Sequence, residues 1–246
     1  MPTGSTRRPR LADAIIEEIA IDILRQNIPP GTLLAPEPQL SDRFGVSRTV
    51  VREAIKRLQS LGLIDVRHGI GTVVLDPESW DDFDSDLIRI RASAGLIGDL
   101  ADDLFAIRRM IEVQVAADAA RNRTPGHLAE LAAIVEQMRS ARSDPVTYTD
   151  LDIAYHNLLL VASGNTLLVK MMQPVNQIRR IGSLITTSSQ QRVIPDSIAG
   201  HEAIYDAVEA GDPRLAHQLM ADHLDEFARD LIDGLSSSGT LAGDVR

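Results

Sequence analysis

The sequence predicts a mainly α-helical protein in two parts: three helices ending in a small β-hairpin, then an all-α antiparallel helical bundle. Three observations predict it. Apolar residues recur at helical spacing over most of the 246 residues. The period falls to that of strands only in "LIDVR" and "TVVL", on either side of "HGIG". The charge also divides: residues 1–75 carry a balance of +2 and residues 76–246 a balance of −12, in a chain of formal charge −10. Such an asymmetry points to two modules with different partners.

The elements follow in order. "MPTGSTRRPR" has no apolar core, so it is no secretory signal, and residues 1–9 read as a mobile arm. Leu11, Ile15, Ile19 and Ile23 give the apolar face of a first helix, which "NIPPGTLL" ends. "PEPQLSDRF" reads as a short second helix with Leu40 and Phe44 on its buried side. Gly45 is placed to cap its end, and Ser47 to cap the start of a third helix, 48–60, with Val51, Ile55 and Leu58 as its stripe. Three helices and a hairpin over residues 10–75 are the order of a winged helix-turn-helix. An acidic linker with a short helix takes residues 76–95, and the bundle takes 96–233. Its helices are expected near 96–122, 125–142, 145–163, 165–189, 196–210 and 213–233, with a kink at Pro174. Thr124-Pro125, Asp144-Pro145 and Asp212-Pro213 each supply a cap and a first-turn proline. Residues 234–246 read as a disordered tail.

Composition excludes several classes. Hydrophobic residues make up 44%, too many for a disordered chain. With no cysteine there are no disulfides or thiolate metal sites, and a cytoplasmic address is favoured. No apolar run reaches the ~20 residues that span a bilayer.

The third helix carries Arg48, Arg52, Lys56 and Arg57 against one acid, Glu53. Arg48 and Arg52 are four apart and share a face away from the apolar stripe. An arginine fork matches the O6 and N7 acceptors of guanine in the major groove. Ser47 and Thr49 suit phosphate contacts at the helix start, and His68-Gly69 forms the tip of the wing. A plain solvated basic face is the alternative for the charges alone.

In the bundle, Asp152 and His156 lie four apart on one helix, and His201 and His223 fall on later ones. One carboxylate and three imidazoles are a familiar divalent-metal set, and bundles build such sites from facing helices. Histidines scattered over 68 residues often carry no function, so spacing leaves both readings open.

Residues 33–74, "LLAPEPQLSDRFGVSRTVVREAIKRLQSLGLIDVRHGIGTVV", resemble the DNA-binding domain of GntR-type bacterial transcription regulators. The Leu…Pro-Glu…Leu, Val-Ser-Arg-x-x-Val-Arg-x-Ala, Gly-Leu and Gly-x-Gly-Thr elements carry the likeness. It departs from the pattern where Pro38 follows Glu37, a position that is often basic in the family. The resemblance implies that Arg48, Thr49 and Arg52 read the operator and that His68 and Gly69 make the wing contact. With Arg43 and Ser47, these form the expected DNA-facing set. The bundle resembles the FCD effector domain of the FadR subgroup, whose Asp-x3-His…His…His pattern is met by Asp152, His156, His201 and His223. That resemblance implies a divalent transition metal, zinc first, with nickel, manganese and iron as alternatives. It also implies a small carboxylate effector held by Arg108 in "FAIRRMIE", with Ser197 one turn before His201 as a further contact. The other reading of Arg108 is a surface ion pair with Glu112.

The leading expectation is an effector-responsive regulator, most simply a repressor, binding a short palindromic DNA operator as a homodimer without a membrane partner. Two others compete: a metal-dependent, hydrolase-like enzyme with an accessory DNA-binding domain, and a structural DNA-bending protein. No general base stands out beside the ligands, and the acidic bulk disfavours wrapping DNA.

Overall fold

The computed structural model describes residues 11–237 except 174, 177, 178, 181, 182 and 184–192. The expected arm, the Pro174 kink and residues 238–246 of the expected tail lie outside them. The chain forms two compact units, the first ending at Leu96 and the second beginning at Ile97.

In the first unit, α1 (Leu11–Leu24) presents Ile15, Ile19 and Ile23 to the core, with Ile16 and Ala20 beside them. Leu11 is a correction: it was expected on this face but is 66% exposed, because the stripe runs past the end of the core at the helix's first residue. Helix α2 (Glu37–Phe44) ends at Gly45, whose φ of 63° and ψ of 34° are left-handed and suit a residue without a Cβ. The Ser47 hydroxyl accepts from the Val50 N–H and opens α3 (Arg48–Ser60). This short connection sets α2 and α3 as a helix-turn-helix, with Val51, Ala54, Ile55 and Leu58 buried against α1 and α2.

Strands β1 (Ile64–Arg67) and β2 (Gly71–Val74) pair antiparallel, Ile64 opposite Val74 and Arg67 opposite Gly71. Ile64 and Val74 anchor the hairpin in the core and leave residues 68–70 at its exposed tip. Residues 76–95, expected as a linker with a short helix, belong to this unit. After a 3-10 turn (Pro77–Ser79), helix α4 (Ser85–Ser93) buries Leu87 and Ile90 in the same core, and Trp80 packs against it.

The second unit is wholly helical among the described residues. It holds α5 (Gly98–Asn122), α6 (Pro125–Ser140), α7 (Pro145–Ala162), α8 (Thr166–Met171), α9 (Val193–Ala210) and α10 (Pro213–Ser237). Helical residues between 173 and 183 follow α8. Thr124 and Asp144 cap α6 and α7 as expected, each with proline in the first turn. The last helix runs four residues beyond its expected end at 233. Helices α5, α9 and α10 pack together, and α7 packs on α5 and α6, so the inward faces of α5, α7, α9 and α10 can share one centre.

Candidate metal centre and nucleic-acid interface

Asp152 and His156 sit one turn apart on α7, both inward and buried, and His201 of α9 and His223 of α10 join them. One ligand atom from each of the four lies within 4.8 Å of the others. His201 Nε2 is 3.1 Å from Asp152 Oδ1, and His156 Nε2 is 3.2 Å from His201 Nε2 and 3.7 Å from Asp152 Oδ1. Four ligands on a tetrahedral ion at zinc–nitrogen distances stand roughly 3.4 Å apart. The donor types and their spacing therefore fit a divalent transition metal. A fit this close needs room: a Cβ at Gly200 would come within 2.8 Å of His223 Nδ1, so glycine lets the imidazole lie against α9.

The imidazoles are oriented from behind. His201 Nδ1 lies 2.7 Å from the Ser197 carbonyl, which fixes a proton there and leaves Nε2 for the cluster. His156 Nδ1 lies 2.6 Å from Glu112 Oε2. The Tyr155 hydroxyl donates to the His201 carbonyl at 2.9 Å. The Tyr148 hydroxyl donates to Ser197 Oγ at 2.7 Å, so Ser197 stands beside the centre with its hydroxyl already engaged.

Two guanidiniums complete the cluster. Arg108 Nε donates to Glu112 Oε1 at 2.8 Å, with both side chains 2% exposed. The pairing with Glu112 anticipated for Arg108 is therefore present, but deep in the bundle rather than on the surface. Arg179 Nε donates to Asp152 Oδ2 at 3.1 Å, and its Nη1 is 3.9 Å from Glu112 Oε2. Arg108 Nη1 and Arg179 Nη2 are buried without a hydrogen-bond partner among the described residues. Buried donors of this kind call for an acceptor. A crevice of about 10 Å³, lined by Ser197, His223, Glu226, Phe227 and Asp230, reaches the edge of the cluster and has room for a water or an ion.

The electrostatics suit metal capture. Burial would raise the Glu112 and Asp152 carboxyls, but it is outweighed. Arg108, Arg179 and His156 hold Glu112 well below the usual carboxylate range, and Arg179 with His201 and His156 does the same for Asp152. Burial, then Arg179, pushes His156 down to about 4, against the partial opposition of Glu112. Burial, with His201 and His156 nearby, drives His223 well below its ordinary value. At neutral pH both carboxyls are anionic and both of these imidazoles are neutral, the forms that bind metal.

In the first unit, Arg48, Thr49 and Arg52 are exposed on α3, as are His68 and Gly69 at the wing tip. Arg52 Nε donates to Glu37 Oε2 at 2.8 Å across the turn, and Arg43 pairs with Glu18. Arg48 has no ion pair among the described residues. Arg57 differs from the other cations of α3: its guanidinium bonds Asp84 and Asp86, each at 2.6 Å, and ties α3 to the start of α4.

The sequence reading missed Arg179 and Tyr148, and it treated Glu112 only as a possible partner of Arg108. A second Arg-Arg pair, Arg179-Arg180, repeats the Arg108-Arg109 pattern and was the available signal. In both pairs the first arginine is buried in the cluster, while the second bonds a surface acid, Asp225 for Arg109 and Asp150 for Arg180.

Comparison with known proteins resolves the family. Residues 11–74 match the model of bacterial regulatory proteins of the gntR family, and residues 103–226 match the FCD domain. LutR, an HTH-type transcriptional regulator of Bacillus subtilis, is 32% identical over 79% of this chain and 89% of its own length. The chain belongs to the GntR family. An uncharacterized HTH-type regulator of Mycobacterium tuberculosis is 38% identical over 54% of this GntR protein, a match spanning 64% of that relative. The galactonate operon transcriptional repressor of Escherichia coli is 24% identical over 84% of this chain and 90% of its own. Among solved structures, Lar of Listeria monocytogenes has the same fold, with a TM-score of 0.61 and 19% identity over 92% of this chain and 99% of that one. The protein is thus a transcriptional regulator with a DNA-binding GntR domain and an FCD domain, and its relatives are regulators rather than enzymes.

Proposed function

We propose that this GntR regulator binds a short palindromic operator as a homodimer in the cytoplasm. A small organic acid held at a metal in the FCD domain releases it. The observation that carries the reading is one buried cluster that joins four potential metal ligands to two guanidiniums whose Nη atoms lack a partner among the described residues. Asp152, His156, His201 and His223 would hold the metal, zinc before nickel, manganese or iron. When bound, it supplies a Lewis-acidic site for a carboxylate oxygen. Arg108 and Arg179 would fork the same carboxylate through their free N–H groups, as guanidiniums do. Ser197 lines the crevice at the edge of the site. The name of the galactonate operon transcriptional repressor, a relative that represses an operon named for a sugar acid, supports the repressor reading and an organic acid as the effector class.

On the DNA side, Arg48 and Arg52 would read base edges in the major groove, while Ser47, Thr49 and Arg43 would meet phosphates. His68 and Gly69 would bring the wing to the backbone. No helix among the described residues is long and apolar enough to cross a membrane. The acid acts by ordinary linkage: it must bind the DNA-free arrangement more tightly than the DNA-bound one.

The test has two stages. Selection from a random duplex pool should return one palindromic sequence, protected in a footprint. A panel of small hydroxy acids and dicarboxylates should then contain a compound that lowers operator affinity, with no such effect in Arg108→Ala. Selection that returns no consensus, or a panel that never moves operator affinity, contradicts the reading.

A further inference from the structure

We propose that Glu112 is the positioning residue that couples the metal centre to the two buried arginines. The inference rests on the reading of the cluster as a metal-and-acid site and adds a role to a residue that is neither ligand nor clamp.

Glu112 projects from α5 and is 2% exposed. Its two oxygens serve different neighbours. Oε1 accepts from Arg108 Nε at 2.8 Å. Oε2 lies 2.6 Å from His156 Nδ1 and 3.9 Å from Arg179 Nη1. Neither Glu112 Oε2 nor His156 Nδ1 has another hydrogen-bond partner among the described residues. At that distance two buried polar atoms repel unless a proton lies between them, so Nδ1 carries it. His156 Nε2, 3.2 Å from His201 Nε2, then presents its lone pair to the cluster. His201 is oriented the same way by a neutral carbonyl, that of Ser197. Glu112 differs from that carbonyl in bearing a full charge and in being shared with the arginines.

The sharing has a consequence. A carboxylate that draws Arg108 or Arg179 toward itself leaves Glu112 with fewer donors, and its hold on His156 tightens. Tighter orientation of His156 strengthens metal binding, and by reciprocity the bound metal favours the carboxylate. Glu112 is therefore the route by which the two parts of the cluster act as one.

The test is Glu112→Gln in the full chain, probed with Zn²⁺ alone by competition against a chelator. An amide has one acceptor where the carboxylate has two, so it cannot serve both Arg108 and His156. Apparent Zn²⁺ affinity is expected to fall by about 10- to 100-fold, with partial recovery in Glu112→Asp. A merely structural role would not change the imidazole tautomer. Histidine ¹⁵N spectra of the metal-free wild type should therefore show His156 protonated at Nδ1. Affinity of Glu112→Gln within twofold of wild type, or a wild-type His156 protonated at Nε2, would overturn the proposal. The wild-type spectrum decides the matter even if the glutamine variant does not fold. Failure of the wild type to bind Zn²⁺ at all would instead remove the metal reading, and this inference with it.

Discussion

The same residue type does opposite work in the two units. On α3, Arg48 and Arg52 stand in water, and the Arg52 side chain is 64% exposed even while paired to Glu37. In the bundle, Arg108 and Arg179 are sealed among carboxylates and imidazoles, each side chain 2% exposed. A surface ion pair is worth little to the fold, so the α3 arginines remain available to a polyanion. A buried guanidinium must be matched, because an unpartnered charge in the core is expensive. The surface set is therefore dispensable for folding and specific for binding. The buried set is bound up with the fold, and its two nitrogens without a partner among the described residues are where the proposed ligand would act.

The contrast is sharpest within one dipeptide. Arg179→Ala leaves Asp152 without its guanidinium and should destabilise the protein by ~3–5 kcal/mol in urea unfolding. Arg180→Ala, which loses only an exposed pair with Asp150, should cost ~0.5 kcal/mol or less. Equal losses would mean that the two environments have been misread.

Acid gives the next largest effect. His156 titrates near 6.5 when unfolded and at about 4 when folded. Between those values the unfolded chain binds the extra proton, so stability falls as pH drops from 6.5 toward 4 and this contribution levels off below. Metal-free protein should lose about 3 kcal/mol over that window from His156. The carboxyls of Glu112 and Asp152, depressed by their partners, extend the loss at lower pH. A flat profile from pH 7 to 4 would contradict a neutral, buried imidazole.

Arg52→Ala should weaken operator binding by ~1–3 kcal/mol in a titration and leave folding stability nearly unchanged. Unchanged affinity would remove it from the reading face. A smaller effect than that of Arg52→Ala on operator binding is expected of Arg57→Ala on stability. Its bonds to Asp84 and Asp86 are partly exposed, so its loss should cost about 0.5–1 kcal/mol of first-unit stability. A larger loss in DNA affinity than Arg52→Ala gives would show that Arg57 leaves Asp84 and Asp86 to bind the duplex.

Much of the fold was legible because its signals are local. Gly45, Ser47, Thr124 and Asp144 cap helices where spacing placed them, and "HGIG" turns the only hairpin among the described residues. The packing of residues 76–95 was not legible, since an acidic run reads as solvated unless the cations it meets are known. Here Arg57 and Arg91 supply them. In the site, Asp152 and His156 could be paired from their helical spacing, while His201 and His223 needed the family pattern. Arg179 left only the repeated Arg-Arg pair as a trace, which does not say which arginine turns inward. It differs from Arg180 by one step around a helix, and only tertiary packing decides which of the two faces the core. Leu11 failed in the opposite sense, as an apolar residue at a helix end with no core beneath it.

The most direct test of the central claim is the metal content of the protein purified without a metal-binding tag, beside Asp152→Ala. The account predicts about one transition-metal ion per chain in the wild type and little or none in the variant. An absence of metal in the wild type, with none taken up on titration, would contradict it. The three imidazoles would then be packing groups, and the arginines would be left to bind an acid alone.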